Sequence, residues 1–325
     1  MILVTGATSL IGRAVVRRLA AGGREVRCLL RPSRREQQLP PGVPFSIVTA
    51  GLQDLPAMRT AMERVTAIIH LAGEEDLEQV GDLCYHVADT ASLISAAQEV
   101  GVPRLVYLSC LGANRASAYP YLRAKGEVER MVRNSGLSYT IINAAITYGA
   151  DDLLTNVWVM LAKMIPLLLP VPDTGLARFQ PLWVEDLARC IVAALDEKRL
   201  EGQSVPIGGP EHFTIDQMAA EVLAAAGVRR KIVRVRMPFA RWWVAVMDAL
   251  LPRNPTPPWW LDVLSAGSAA ELGNVARYCG FEPVRLSEGL AYLRQRRPWR
   301  RDFLRLVSHH YPRQKPGGPT PPPSD

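Results

Sequence analysis

The sequence predicts an α/β fold built on a parallel sheet with helices on both faces. Three observations predict it. Short apolar runs alternate with helically spaced stretches through the first half of the chain. The runs are apolar throughout rather than at every second residue, as in strands buried on two sides. The first run passes through a glycine-containing turn straight into a helix.

Taken in order, Ile2–Val4 reads as the first strand and Ile11–Ala20 as the first helix, stopped by Gly22-Gly23. Glu25–Leu30 and Phe45–Val48 are the second and third strands, Met58–Arg64 a helix and Ala67–Leu71 the fourth strand. Leu83–Val100 is helical, Leu105–Leu108 the fifth strand, Tyr121–Asn134 a helix and Tyr139–Asn143 the sixth strand. After Gly149 the alternation breaks down. Asp152–Ile165 has helical spacing, followed by the proline-rich Pro166–Pro172. Val184–Leu195 is a helix, and Ser204–Ile207 a late strand returning to the sheet. Thr214 is positioned to cap a helix through Ala226 that Gly227 ends. Lys231–Val235 alternates like a strand; two apolar helical segments follow, then Pro316–Pro323, a proline-rich stretch predicted to be disordered. No internal repeat is present.

Composition narrows the class. The chain has 325 residues, of which 48% are hydrophobic and 21% charged, the profile of a globular protein. No stretch reaches the roughly 20 apolar residues of a membrane span. Val157–Leu169 is broken by Lys163 and Pro166, and Met237–Leu251 contains Arg241 and Asp248. The chain starts on a strand pattern, so no signal peptide is expected. The five cysteines (Cys28, Cys84, Cys110, Cys190 and Cys279) are an odd number without CxxC spacing, which argues against a disulfide framework or zinc site and for a reducing compartment. His309-His310 is an isolated pair, so no metal is expected. Cytoplasmic residence follows, with a peripheral position at the cytoplasmic face of a membrane as the alternative.

The glycine turn carries the first chemistry. Thr5-Gly6-Ala7-Thr8-Ser9-Leu10-Ile11-Gly12 joins a strand to a helix. Gly6 permits the tight turn, a small residue lets backbone approach a pyrophosphate, and Gly12 lets the helix pack close to the sheet. The helix N-terminus turns its N–H groups toward the phosphates. The expected partner is a nicotinamide dinucleotide.

TGATSLIG, HLAG at His70–Gly73, YLSCLGA at Tyr107–Ala113 and YLRAK at Tyr121–Lys125 follow one another in this order. So arranged, the chain resembles the atypical branch of the short-chain dehydrogenase/reductase superfamily. ITYG at Ile146–Gly149, FQPLWVEDLARCIVAAL at Phe179–Leu195 and GGPEHFT at Gly208–Thr214 make it similar to the NDUFA9-like accessory subunits of respiratory complex I and their bacterial relatives. The resemblance covers about residues 1–293.

The resemblance implies a doubly wound parallel Rossmann-type sheet with a smaller C-terminal substrate lobe. Residues 1–150, rejoined by 179–209, form the dinucleotide-binding domain; 151–178 and 210–293 form the lobe, and 294–325 a basic then proline-rich tail. It carries cofactor binding onto Gly6, Thr8, Ser9, Leu10, Ile11, Gly12, Leu71, Ala72, Gly73 and Lys125. Ser9 departs from the usual middle glycine, and Gly51 in AGLQD replaces an aspartate that contacts adenine. Tyr121 and Lys125, spaced i, i+4, lie on one helix face. In the superfamily such a tyrosine is the acid/base and such a lysine holds the nicotinamide ribose. A tyrosine ionises near pH 10, and a nearby ammonium brings its phenolate into working range. Ser109, at the end of the fifth strand, is the third catalytic candidate, although Cys110 and Leu111 occupy places that often hold that hydroxyl. Asn143-Ala144 stands where the branch has Arg-Pro.

The end of the second strand sets the cofactor preference. NAD-preferring sites place an acid there to bind the ribose 2′-hydroxyl. Here Arg31-Pro32-Ser33-Arg34-Arg35 follows the strand, and no acid occurs before Glu36. Guanidinium groups suit a 2′-phosphate, so NADP(H) is expected over NAD(H), with Arg31, Ser33, Arg34 and Arg35 as the candidate contacts. Net charge is +7, and Arg294–Arg305 holds six arginines against one aspartate. That cluster suits an acidic partner protein or an anionic membrane surface. Only Trp299 within it could stack on a base, too little to indicate nucleic-acid binding. Two functions fit: an NADP(H)-dependent oxidoreductase or related isomerase acting on a small substrate, or a non-catalytic dinucleotide-binding subunit of a larger, membrane-associated complex.

Overall fold

The computed structural model describes residues 1–32, 39–71, 82–250, 256, 258–294, 299 and 301. Its centre is a sheet of β1 (Ile2–Thr5), β2 (Val26–Leu30), β3 (Ser46–Thr49), β4 (Ala67–His70), β5 (Arg104–Cys110), β6 (Ser138–Ala144) and a late strand, Gln203–Ile207. All seven strands are parallel. The late strand lies outside β6, and the rest follow in the order β6, β5, β4, β1, β2, β3. The chain therefore runs outward from β1 through β2 to β3, then crosses back to β4 on the other side of β1. This reversal opens a crevice at the strands' C-terminal edge, where α/β sheets bind ligands.

Helices α1 (Leu10–Ala21), α2 (Leu55–Ala61), α3 (Asp82–Val100) and α4 (Pro120–Arg133) connect the strands. Two apolar cores cover the sheet. One holds Val4, Val15, Leu19 and Val106 with Leu187 and Ile191. The other holds Leu3, Met58, Ile68, Leu93, Leu105 and Val132. This is the doubly wound Rossmann-like arrangement, with both sheet faces buried as the apolar strands require.

Beyond β6 come β7 (Thr147–Tyr148), α5 (Leu153–Met164), β8 (Leu168–Pro172), β9 (Leu182–Trp183) and α6 (Val184–Asp196), then the late strand, β10. They are followed by α7 (Ile215–Ala225), β11 (Lys231–Val235), α8 (Met237–Leu250), α9 (Pro258–Ala266), α10 (Asn274–Cys279) and α11 (Leu286–Gly289). A further core gathers Tyr148, Trp158, Phe179, Met218, Leu261 and Leu290. Asp152 caps α5, accepting from Thr155 N at 2.6 Å. Thr214 caps α7 in a full capping box with Gln217, and Gly227 follows at φ 64°, so both expected signals operate.

Two readings change. Leu168–Pro172 is a strand, paired in parallel with β11. Its prolines hid it; in a two-stranded sheet each strand keeps an unpaired edge, where a missing N–H costs nothing. Trp299 is buried in this further core with Lys163 Nζ 5.4 Å from its ring centroid, so it cannot stack on a base. Of Arg294–Arg305, residues 295–298, 300 and 302–305 lie outside the described residues, as do His309-His310 and Pro316–Pro323. Among the described residues, no helix is long and apolar enough to cross a membrane.

Candidate active site

The glycine turn sits where β1 meets α1, at the centre of the sheet. Gly6 adopts φ 69°, a left-handed value that only glycine takes without strain. Its carbonyl accepts from Ser9 N at 3.1 Å, closing the turn. Gly12 packs so tightly that a Cβ there would lie 2.0 Å from the Gly6 oxygen and 2.7 Å from Ala7 Cα. Ser9 explains its departure from the usual glycine. Its backbone is ordinary extended (φ −67°, ψ 164°), so no glycine is required, and its hydroxyl caps α1 by accepting from Gly12 N at 2.8 Å. Arg13 holds the Thr8 carbonyl at 2.7 Å, Ile11 is buried and Leu10 half-buried. The turn thus has the tight glycine, close helix approach and capped helix N-terminus that a dinucleotide pyrophosphate needs.

Helix α4 brings the second half. Tyr121 and Lys125 are each only 1% exposed. Lys125 Nζ donates to the Leu108 carbonyl at 3.3 Å and lies 5.9 Å from the Tyr121 ring centroid. Burying an ammonium is costly unless it is partnered, and this one also faces the Tyr107 ring at 5.5 Å. Trp259 of α9 stacks on Tyr121 at 5.0 Å between centroids, so α9 forms the outer wall.

The same helix face continues beyond the expected pair. Glu129, one turn past Lys125, is a buried carboxylate that sequence reasoning missed. It accepts from Ser109 Oγ at 2.6 Å, Asn143 Nδ2 at 2.5 Å and Arg133 at 2.6 Å. Ser109 is therefore brought to α4 but commits its hydroxyl to Glu129. Asn143 fills the same network, and Ser109 and Asn143 are paired across β5 and β6. The i, i+4 series Tyr121, Lys125, Glu129, Arg133 was the available signal.

Two stacked rings join the halves. Thr5, just before the glycine turn, bonds His70 Nδ1 through Oγ1 at 2.6 Å, and His70 Nε2 meets Thr90 Oγ1 at 3.0 Å. The His70 ring stacks on Tyr107 at 5.6 Å, and Tyr107 carries Lys125 on its other contacts. A continuous buried path thus runs from the turn to the lysine.

Residues 6–156 match the profile described as NAD(P)H-binding. That match covers just under half of the chain. Among the proteins it resembles, "NADH dehydrogenase [ubiquinone] 1 alpha subcomplex subunit 9, mitochondrial" of Arabidopsis thaliana is 30% identical over 78% of this chain. The match spans 65% of that protein's length. A (4-alkanoyl-5-oxo-2,5-dihydrofuran-3-yl)methyl phosphate reductase of Streptomyces griseus is 29% identical over 79% of this chain and 83% of its own. The NADPH-dependent quinone oxidoreductase of Escherichia coli, solved with NADPH, superposes with a TM-score of 0.73 at 19% identity, over 90% of this chain and 99% of its own. That likeness shows the shared α/β fold alone.

The other residues expected at the cofactor are placed as follows. Leu71 is buried and its N–H donates to the Thr5 carbonyl at 3.2 Å, extending β4 along β1. Arg31 is exposed just past β2, whose Leu29 pairs with Thr5, so it leaves the sheet edge beside Gly6. Asp54, the carboxylate nearest to Gly51 in sequence, caps α2 through Ala57 N at 3.1 Å. Ser33, Arg34, Arg35, Glu36, Ala72 and Gly73 lie outside the described residues.

His70 and His86 add a pH dependence. Burial, and then the positive charges of Lys125 and Arg31, push the His70 pKa down to about 3. His86 is held well below its ordinary value by the same causes together with His70. An unfolded imidazole titrates near pH 6.5, so below that pH the unfolded chain binds more protons than the folded one. For His70, stability should fall as pH drops from about 6.5 towards 3, by up to about 1.4 kcal/mol per pH unit, and His86 acts in the same direction. Urea unfolding at a series of pH values measures it. A His70→Asn chain should show a shallower slope; an unchanged slope would mean His70 does not drive it.

Proposed function

We propose that the protein is an NADP(H)-dependent oxidoreductase acting on a small, flat carbonyl compound. The observation that carries this reading is the buried Tyr121–Lys125 pair on α4, linked through Tyr107 and His70 to the glycine turn. Residues 1–150 with 179–209 would hold the cofactor, and 151–178 with 210–293 the substrate. Gly6, Thr8, Ser9, Leu10, Ile11 and Gly12 would cradle the pyrophosphate, Leu71, Ala72 and Gly73 would border the cofactor, and Lys125 would bond the nicotinamide ribose. Bound NADP(H) supplies or accepts the hydride.

The proton belongs to Tyr121. Its hydroxyl would donate to the carbonyl oxygen as that oxygen gains negative charge, and would take the proton back in the reverse direction. Lys125 favours the resulting phenolate by its charge. Ser109, bonded to Glu129 at 2.6 Å, would act as a positioning residue that fixes α4 on the sheet rather than as a group touching substrate. Trp259 and Tyr119 flank Tyr121 with aromatic surface, which suits a planar, apolar substrate. The names of two proteins similar to this one, a dihydrofuran phosphate reductase and a quinone oxidoreductase, point the same way. Loss of NADPH absorbance on addition of simple quinones and conjugated enones tests the activity.

Arg31, with Ser33, Arg34 and Arg35, supports NADP(H) over NAD(H). Calorimetric titration should show NADPH binding at least about tenfold tighter than NADH, a difference of about 1.4 kcal/mol. Arg31→Asp should shrink or reverse that ratio, because a carboxylate repels the 2′-phosphate. Equal affinity in the unaltered chain would overturn the assignment.

A second reading has its own support. The Trp259 stack leaves Tyr121 only 1% exposed, and the plant relative is a respiratory-complex subunit. In this reading NADP(H) stabilises the fold by binding only its native state, and the protein serves a larger complex. NADPH that raises the unfolding temperature without being oxidised by any carbonyl would favour it.

A further inference from the structure

Helix α8 has two apolar sides, and the described structure buries one. Ala240 and Val244 are buried in the lobe core, with Met237 and Met247 half-buried. At 3.6 residues per turn, Phe239, Trp242, Trp243, Val246 and Leu250 form a separate stripe at i, i+3, i+4, i+7 and i+11. Along it Phe239 is 55% exposed, Trp242 57%, Trp243 49% and Leu250 70%. The three rings lie against one another, Phe239 to Trp242 at 5.5 Å and Trp242 to Trp243 at 6.4 Å. Scattered exposed apolar residues need no explanation; a contiguous aromatic patch marks a contact surface.

The charge of the segment leading into the helix points to the contact. From Arg229 to Arg241 the chain has six basic residues and no acid. Arg234 pairs with Asp216, Arg241 with Asp262, and Arg230 holds the Ala162 and Ile165 carbonyls. Arg229, Lys231 and Arg236 are exposed on the approach to the helix. The stripe itself offers indole N–H donors and no carboxylate.

We propose that α8 rests on an anionic lipid bilayer, with Trp242 and Trp243 at headgroup depth and Lys231 and Arg236 beside the phosphates. Indole rings combine an apolar body with a polar N–H and settle at that depth, and cations next to an aromatic face are the composition of helices lying in a membrane interface. At 14 residues α8 is too short to cross, which leaves the surface position. The inference does not depend on catalysis.

Sedimentation of the full-length protein with vesicles tests it. The protein should sediment with vesicles of phosphatidylcholine mixed with phosphatidylglycerol, and far less with phosphatidylcholine alone. Trp242→Ala with Trp243→Ala should cut that binding at least about tenfold, while the unfolding temperature and NADPH affinity stay unchanged. Trp242→Glu is a second variant, placing a carboxylate against the headgroups, and should lose binding without altering the fold. Lys231→Glu with Arg236→Glu should abolish the preference for anionic vesicles. The proposal is overturned by a wild-type chain that ignores both vesicles, or by tryptophan variants that bind as it does. It is equally overturned by a tryptophan-dependent dimer without vesicle binding, which assigns the face to a second copy. Loss of vesicle binding on deleting residues 302–325, with the tryptophan variants unaffected, would make the tail the anchor instead.

Discussion

Tyr121→Phe should bind NADPH as tightly as the unaltered chain yet turn over substrate about a hundredfold more slowly or worse, the usual contribution of a positioned general acid. The change removes one oxygen. Phenylalanine keeps the ring that stacks on Trp259 at 5.0 Å and fills the same buried place, so fold and cofactor site are preserved. Only the proton donor is lost. Lys125→Ala should differ in kind, weakening both cofactor binding and turnover. It removes the charge that favours the phenolate, the group proposed to hold the ribose, and the bond to the Leu108 carbonyl. Steady-state kinetics beside calorimetry separate the two effects. If Tyr121→Phe turns over normally, the tyrosine has no part in the chemistry, and the subunit reading gains.

Gly12→Ala should cost about 3 kcal/mol of stability, at the upper end of what overpacking costs, and should abolish measurable NADPH binding. A single methyl group carries this effect because of where it would point. The new Cβ would lie 2.0 Å from the Gly6 oxygen and 2.7 Å from Ala7 Cα, distances that no rotamer change relieves because every atom involved is backbone. Nor is the turn free to yield. The Gly6 carbonyl is engaged by Ser9 N, and β1 is held between β2 and β4. Helix α1 must therefore tilt away from the sheet, taking with it the N–H groups that would meet the pyrophosphate. Urea unfolding and cofactor titration measure the two losses. A change within about 0.5 kcal/mol, the range of an ordinary surface substitution, would mean that the close approach is not as drawn.

Local chemistry was legible in the chain itself. Strand and helix order, the Thr214 cap, the Gly227 stop and the glycine turn each depend on residues within one or two turns of each other, so periodicity and cap residues reveal them. The Tyr121–Lys125 pair was legible for the same reason, as a spacing on one helix. What tertiary structure alone decided are meetings between residues far apart in sequence. Ser109 reads as a free hydroxyl at a strand end until β6 lies beside β5 and α4 crosses them; then Asn143 and Glu129 reach it and take its hydrogen bond. His70 reads only as a residue near the end of the fourth strand until β4 pairs with β1, which sets its ring between Thr5 and Thr90 and strips it of water. The strand in Leu168–Pro172 exists only because β11 arrives to pair with it, overriding the prolines' signal. On α8 the periodicity marks apolar residues all round the helix, and only packing separates the side that is buried from the side left to solvent. In each case the deciding energy comes from contacts that the fold creates, which no window along the chain contains.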